Sequence, residues 1–192
     1  MNSQRTWARD VLGLIISAAL VLSMLQVTTK AEVTDSATGG FTVKVTVNIH
    51  AAPADVYQRL VHNVGDWWDS SHTFSQNAHN LSIDERPMGC FCESLPNGGA
   101  VRHMEVLYLQ PGKTLRMAGA LGPLQGLAVS GVATFSLSPI PDGTKLELIY
   151  TVGGYSPQGL GPIAQPVEGV LTEQMNRLKS YVETGKPAGA EK

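Results

Sequence analysis

The sequence predicts an α+β domain: a curved antiparallel sheet of about six to seven strands wrapped around a long C-terminal helix. Three observations carry this. Phe41, Val43, Val45, Val47 and Ile49 alternate with Thr42, Lys44, Thr46 and Asn48, the period-two pattern of a strand with one buried face. Asn97-Gly98 and Asp142-Gly143 stand between strand-like runs, where a tight turn needs positive φ. Near the end of the chain, Val167, Leu171, Met175, Leu178 and Val182 form one helical stripe that needs a surface to lie on.

The chain opens with Arg5 and Arg9, an apolar run from Val11 to Leu25, and small residues at Thr29 and Ala31. This is the tripartite pattern of a secretory signal peptide, predicted over residues 1–31. The apolar run is shorter than the roughly 20 residues of a membrane span, so cleavage ranks ahead of an anchor through Val11–Leu25. In either case the domain is expected outside the cytoplasm, periplasmic or secreted, with membrane contact only through an uncleaved N-terminal segment. The formal charge is −2, and residues 1–31 hold three of the basic side chains and one acidic one, so the remainder is more acidic. Without a basic patch, nucleic acid is excluded as a partner. A hydrophobic content of 43% over the 192 residues suits one globular domain with a sizeable core.

Residues 32–40, polar and ending in Gly39-Gly40, read as a flexible leader, and the domain as residues 41–186. After the first strand, Pro53 suits a first helical turn, and Val56, Leu60, Val61, Val64 and Trp67 follow at helical spacing. Asp69–Asn80 is polar and reads as loop. Short strands are expected at Leu81–Arg86 and Gly89–Leu95, then Ala100–Leu109 after the Asn-Gly turn, then Thr114–Ala118. Gly119–Leu127 holds Gly119, Gly122, Pro123 and Gly126 and reads as a loop. Val129–Ser138 and Lys145–Val152 form a hairpin across Asp142-Gly143. The glycine- and proline-rich stretch from Gly153 to Pro162 leads to a helix from about Pro166 to Glu183. Residues 187–192 read as a loose tail.

Several segments resemble the SRPBCC superfamily, which includes START domains, birch-pollen-allergen-like proteins and polyketide cyclases. Asn48–Trp68, with Ala52-Pro53 before the helix and the tryptophan pair after it, is similar to the family's opening strand and helix. Gly89–Glu93, Val106–Leu115, Asp142–Leu146 and Glu173–Lys179 resemble segments of the heat-shock ATPase activator-like branch. The likeness covers residues 41–186 and implies a helix-grip fold. It implies a cavity between sheet and terminal helix that takes a small hydrophobic or amphipathic ligand. A cyclase- or dehydratase-type enzyme using that cavity, and an interaction module without a ligand, stay open as alternatives. Binding ranks ahead of catalysis, and no cofactor is expected. The export signal sets the chain apart from the mostly cytosolic activator-like proteins.

The residues offer few chemical groups. Of Trp67 and Trp68, one is expected in the core and the other at a pocket mouth. His72, in a polar loop, is either solvated or in contact with a ligand head group. His72 and His103 are the candidates for proton transfer. Tyr150 and Tyr155 are candidate polar handles of a pocket, or ordinary packing tyrosines. Neither a G-x-S-x-G elbow nor an H-E-x-x-H pair is present. Cys90 and Cys92 are the only two cysteines. On a regular strand their α-carbons stand about 6.5–7 Å apart, near the outer limit for a disulfide. A two-residue turn at Asn97-Gly98 places Cys92 opposite His103 and Cys90 opposite Glu105, a candidate zinc set that one residue of slippage abolishes.

Overall fold

A computed structural model describes residues 29–189. All of the predicted signal peptide before Thr29, and the end of the predicted tail, lie outside the described residues. Among the described residues eight strands form one curved antiparallel sheet in the order β1-β2-β8-β7-β6-β5-β4-β3. They are β1 (Lys30–Ala37), β2 (Gly40–Ile49), β3 (Leu81–Ile83), β4 (Cys90–Ser94), β5 (Ala100–Gln110), β6 (Thr114–Gly119), β7 (Ala128–Ile140) and β8 (Gly143–Tyr155). The helices are α1 (Pro53–His62), the short α2 (Val64–Trp67) and the terminal α3 (Ala164–Thr184). Among the described residues no helix is long and apolar enough to cross a membrane.

The alternation read in Phe41–Ile49 is realised in full: every odd position is buried and every even one is partly exposed. Those side chains meet Leu146, Leu148, Tyr150 and Val152 of β8, which pairs with β2 along its whole length. Onto this face α3 lays Leu171, Met175 and Leu178, while α1 contributes Val56, Tyr57, Leu60 and Val61. The result is one continuous apolar core. Burial at this scale, about 25 cal/mol for each Å² of apolar surface, is what holds a long amphipathic helix against a sheet. Gly185, at φ 77°, ends α3 in the left-handed conformation.

The structure departs from the sequence reading in three places. Lys30–Ala37, read as the end of the signal peptide and a flexible leader, is β1, an edge strand paired with β2 from Lys30 opposite Thr46 to Ala37 opposite Gly40. Its polar, bulged sequence disguises it, because only the backbone of β2 is needed to recruit it. The helix after Pro53 is broken at Asn63, so Val64–Trp67 turns separately and aims the tryptophan pair. The strands of the last hairpin are longer than expected and close tightly, Ile140 facing Gly143 across Pro141-Asp142.

Candidate functional site

The segment that follows α2 is held from below by α3. Trp67 is buried, its Nε1 donating to the Arg59 carbonyl at 3.1 Å. Trp68 stands 5.4 Å away at 56°, half-buried, and donates from Nε1 to the His72 carbonyl at 3.2 Å. From α3, Arg177 Nε donates to the Trp67 carbonyl at 3.0 Å and Nη1 pairs with Asp69 at 3.0 Å. Gln174 Oε1 accepts from the Asp69 amide at 2.8 Å. The hydrogen bond from Ser71 is the main reason the Asp69 carboxyl lies below its ordinary range, with Arg177 adding to it against the opposing effect of burial. This clamp fixes where the loop from Trp68 to Phe74 stands.

Two adjoining spaces open beneath it. The inner one, between sheet and α3, is about 20 Å³, room for roughly one water. Trp67, Phe91, Met104, Met117 and Tyr150 are among its walls. The outer one is about 600 Å³ and lies between three segments: Trp68–Phe74, Leu121–Leu124, and the start of α3 with Val167, Val170 and Leu171. Trp68, Leu121 and Leu171 border both spaces. The sheet and terminal helix therefore close tightly on each other, and the sizeable cavity sits at the end of α3, under two loops. Gln174 lines the inner space, is 2% exposed, and its Nε2 has no hydrogen-bond partner among the described residues.

A buried hydrogen-bond network holds the two loops. Glu93 (1% exposed) accepts hydrogen bonds from the Phe74 amide at 3.1 Å and from the Ser75 amide, and its Oε2 lies 3.0 Å from His103 Nε2. His103 (5% exposed) meets Gln125 Nε2 with Nδ1 at 3.2 Å. Burial alone raises a carboxyl's affinity for protons, but at Glu93 the bonds from Ser75, Phe74 and His103 outweigh it and hold the group below its ordinary range. Burial lowers His103 below its usual value despite the carboxylate beside it. The chain of partners is then one consistent tautomer: Glu93 ionised, neutral His103 donating from Nε2, and its Nδ1 accepting from Gln125. One end of this network ties down Phe74, the other the turn that carries Leu124, so both cavity walls hang on it.

The predicted site residues separate accordingly. Trp67, Trp68 and Tyr150 line the inner space, and Trp68 and His72 the outer one. His72 Nε2 is 3.6 Å from Glu173. The Tyr150 hydroxyl accepts from the Leu121 amide at 3.2 Å and donates to the Gly119 carbonyl at 3.3 Å, and burial pushes it up to about 12. It is a strut for the Leu121 loop. Gly131 makes room for it, since a Cβ there would lie 2.6 Å from the Tyr150 ring. Tyr155, expected as a pocket handle, is 68% exposed at the end of β8 and lines neither space. His103, weighed for proton transfer, lines neither space and is taken up with Glu93 and Gln125.

The zinc set of Cys90, Cys92, His103 and Glu105 does not form. Cys90 does face Glu105, but Cys92 faces Arg102, because the loop at Asn97-Gly98 is offset by one residue and a bulge at His103 restores the register. That bulge turns His103 into the protein, Glu105 pairs with Arg102 at 3.1 Å, and the two cysteines form a disulfide. No group of three or more metal-ligating side chains exists among the described residues. Glu93, Gln125, Gln174 and Arg177 carry the site yet were not singled out from the sequence. Glu93 had one available signal: an acidic residue at a position that strand alternation puts on the core side with Phe91.

Residues 40–183 match the family model described as polyketide cyclase / dehydrase and lipid transport. Solved structures with the same fold include a conserved protein of unknown function from Enterococcus faecalis, with TM-score 0.56 and 16% identity over 85% of this chain and 83% of that one. A protein from Chromobacterium violaceum gives TM-score 0.53 and 17% identity, covering 74% and 96%. The Aha1 dimer from Colwellia psychrerythraea gives 0.52 and 18%, covering 76% and 98%. No curated protein matches. At these identities the structural likeness is one of fold. The family match extends from β2 to the last turn of α3, so the chain belongs to the polyketide cyclase / dehydrase and lipid transport family of the SRPBCC superfamily.

Proposed function

We propose that this chain binds a small, uncharged hydrophobic molecule in the space under the Trp68–Phe74 and Leu121–Leu124 loops. The observation that carries the reading is the cavity itself: about 600 Å³, walled by Trp68, Phe74, Leu124, Val167 and Val170, with no Lys, Arg, Asp or Glu of the described residues in its lining. That volume lies within the range of small-molecule sites, and the lack of a cation disfavours a ligand with a buried carboxylate or phosphate. Ser71, His72 and Thr73 place hydroxyl and imidazole groups along one wall for a polar end. Deeper in, the unpartnered Gln174 Nε2 favours a ligand that brings a carbonyl or hydroxyl oxygen, because an unpaired buried donor costs about 1–3 kcal/mol.

Titration with the neutral fluorescent probe N-phenyl-1-naphthylamine tests this. Saturable binding is expected, and Val170→Trp, which projects an indole into the cavity, is expected to weaken it while the domain stays folded. A folded wild-type protein that leaves the probe unbound supports instead an interaction module. Turnover of a cyclisable substrate that depends on His72, an imidazole in the cavity wall, would move the reading to an enzyme. Export of the domain rests on the N-terminal pattern, and the N-terminal residue of protein recovered from outside the cytoplasm tests it, Glu32 being expected.

A further inference from the structure

The two cysteines sit on the back of the wall of the inner space, which Phe91 lines. Cys90 and Cys92 are half-buried on the outer face of β4, while Phe91 between them and Glu93 beside them are buried on the inner face. Their α-carbons are 5.4 Å apart, closer than the roughly 6.5–7 Å that two strand steps span. At the same place the pairing with β5 slips, Phe91 facing Met104 and Cys92 facing Arg102. The bond therefore gathers the strand at the bulge that delivers His103 to Glu93. It closes a ring of only three residues, and chain-entropy arguments give so short a loop the smallest stabilisation a disulfide can provide. A staple for the fold would join distant segments. This one joins neighbours and shapes one spot.

That spot bears on the site. Phe91 lines the inner space, packs edge-on against Trp68 at 5.7 Å, and lies 5.1 Å from the His103 ring. Glu93 holds the Phe74–Ser75 backbone. We propose that Cys90–Cys92 is a thiol–disulfide exchange site whose oxidation state sets the shape of the cavity wall, with a dithiol as reductant. In the exchange, a thiolate of the dithiol attacks one protein sulfur, the S–S bond breaks, and the other sulfur leaves as a thiolate and takes up a proton. The second thiol of the reductant then displaces the protein from the mixed disulfide. Two electrons and two protons pass to the cysteines, and the dithiol becomes a disulfide. The freed strand relaxes toward regular spacing, carrying Phe91 away from Trp68 and loosening the hold of Glu93 on the loop.

The test uses the full chain with dithiothreitol under native conditions. Alkylation is expected to tag both cysteines after treatment and neither before. Tryptophan emission is expected to shift on reduction, with little change in the unfolding transition. Affinity for N-phenyl-1-naphthylamine is expected to change on the order of fivefold or more, the lower end of typical coupling between sites. The Cys90→Ser/Cys92→Ser double variant is expected to match the reduced protein and to ignore dithiothreitol. A disulfide that resists the dithiol in the folded protein overturns the proposal, as does reduction that leaves both emission and affinity unchanged. If the probe binds neither form, the cavity reading fails, and the emission of reduced and oxidised wild type decides the redox proposal separately. If the double variant does not fold, reduced wild type supplies the same comparison.

Discussion

Along β2, β8 and β7 the pairing runs unbroken, from Gly40 opposite Gly153 to Ile49 opposite Thr144, and from Ala128 opposite Tyr155 to Ile140 opposite Gly143. Along β4 and β5 it slips at Cys92, and between β5 and β6 it slips again near Leu107. The first region buries aliphatic and aromatic side chains against α3. The second buries a carboxylate and an imidazole, carries the disulfide, and supports two loops. The contrast has a physical basis. Regular strands present alternate faces and bury area efficiently, while a bulge flips a residue to the other face and so re-aims a side chain. Stability is concentrated in the first region, and the geometry of the cavity in the second.

Breaking the regular region should have the largest effect. Val45 has no exposed surface and faces Leu148, so Val45→Asp buries a charge with no partner. A penalty of several kcal/mol against the usual 5–15 kcal/mol of total stability should leave the protein unfolded or nearly so by circular dichroism. A cooperative, near-native melt would contradict the assignment of stability to this seam. In the irregular wall, Glu93→Ala should cost about 3–5 kcal/mol in urea unfolding, because it strands His103 and two loop amides. Glu93→Gln, which keeps one acceptor, should cost about 1–2 kcal/mol. Equal losses for the two would mean that charge, rather than acceptor number, holds the loop.

The pH dependence sharpens the contrast further. His103 binds its proton less readily folded than at its ordinary value of 6.5, and Glu93 likewise relative to 4.5. Below 6.5 the unfolded chain takes up a proton at His103 that the folded one refuses, so stability falls as the pH drops, and Glu93 extends the fall below 4.5. His103→Gln should flatten the slope between 6.5 and 4.5, measured as urea midpoints, and an unchanged slope would assign it to other groups. The smallest effect belongs to Tyr155→Ala, beyond the end of the cavity walls. It should move stability by no more than about 0.5 kcal/mol and leave probe binding unchanged. Weakened binding there would extend the site to the exposed end of β8.

Much of the regular region is legible in the sequence. Alternation in Phe41–Ile49 and Leu146–Val152 named the core strands, and the stripe from Val167 to Val182 named the helix that covers them. The tryptophan pair borders the inner space, and Trp68 and His72 border the outer one. What escaped detection depended on pairing. β1 has no apolar pattern of its own and becomes a strand only beside β2. His103 looked equivalent to any strand residue until the bulge moved it inward, and Tyr155 looked like a loop residue near a pocket until β8 carried it out to solvent.

The sequence by itself determined the class of fold, because periodicity states which face of each element is buried whatever partner it meets. It also placed a chain reversal at Asn97-Gly98, where Asn97, at φ 58°, and Gly98, at φ 79°, adopt the left-handed backbone that Asn-Gly favours, although the loop there is longer than two residues. Tertiary structure alone decided the site. Whether Glu93 meets His103, whether Gln174 turns its amide to Asp69, and whether Cys90 meets Cys92 or a metal all depend on register to a single residue and on elements as far apart in the chain as Asp69 and Gln174. A hydrophobic face tolerates such shifts, and a hydrogen bond or a disulfide does not.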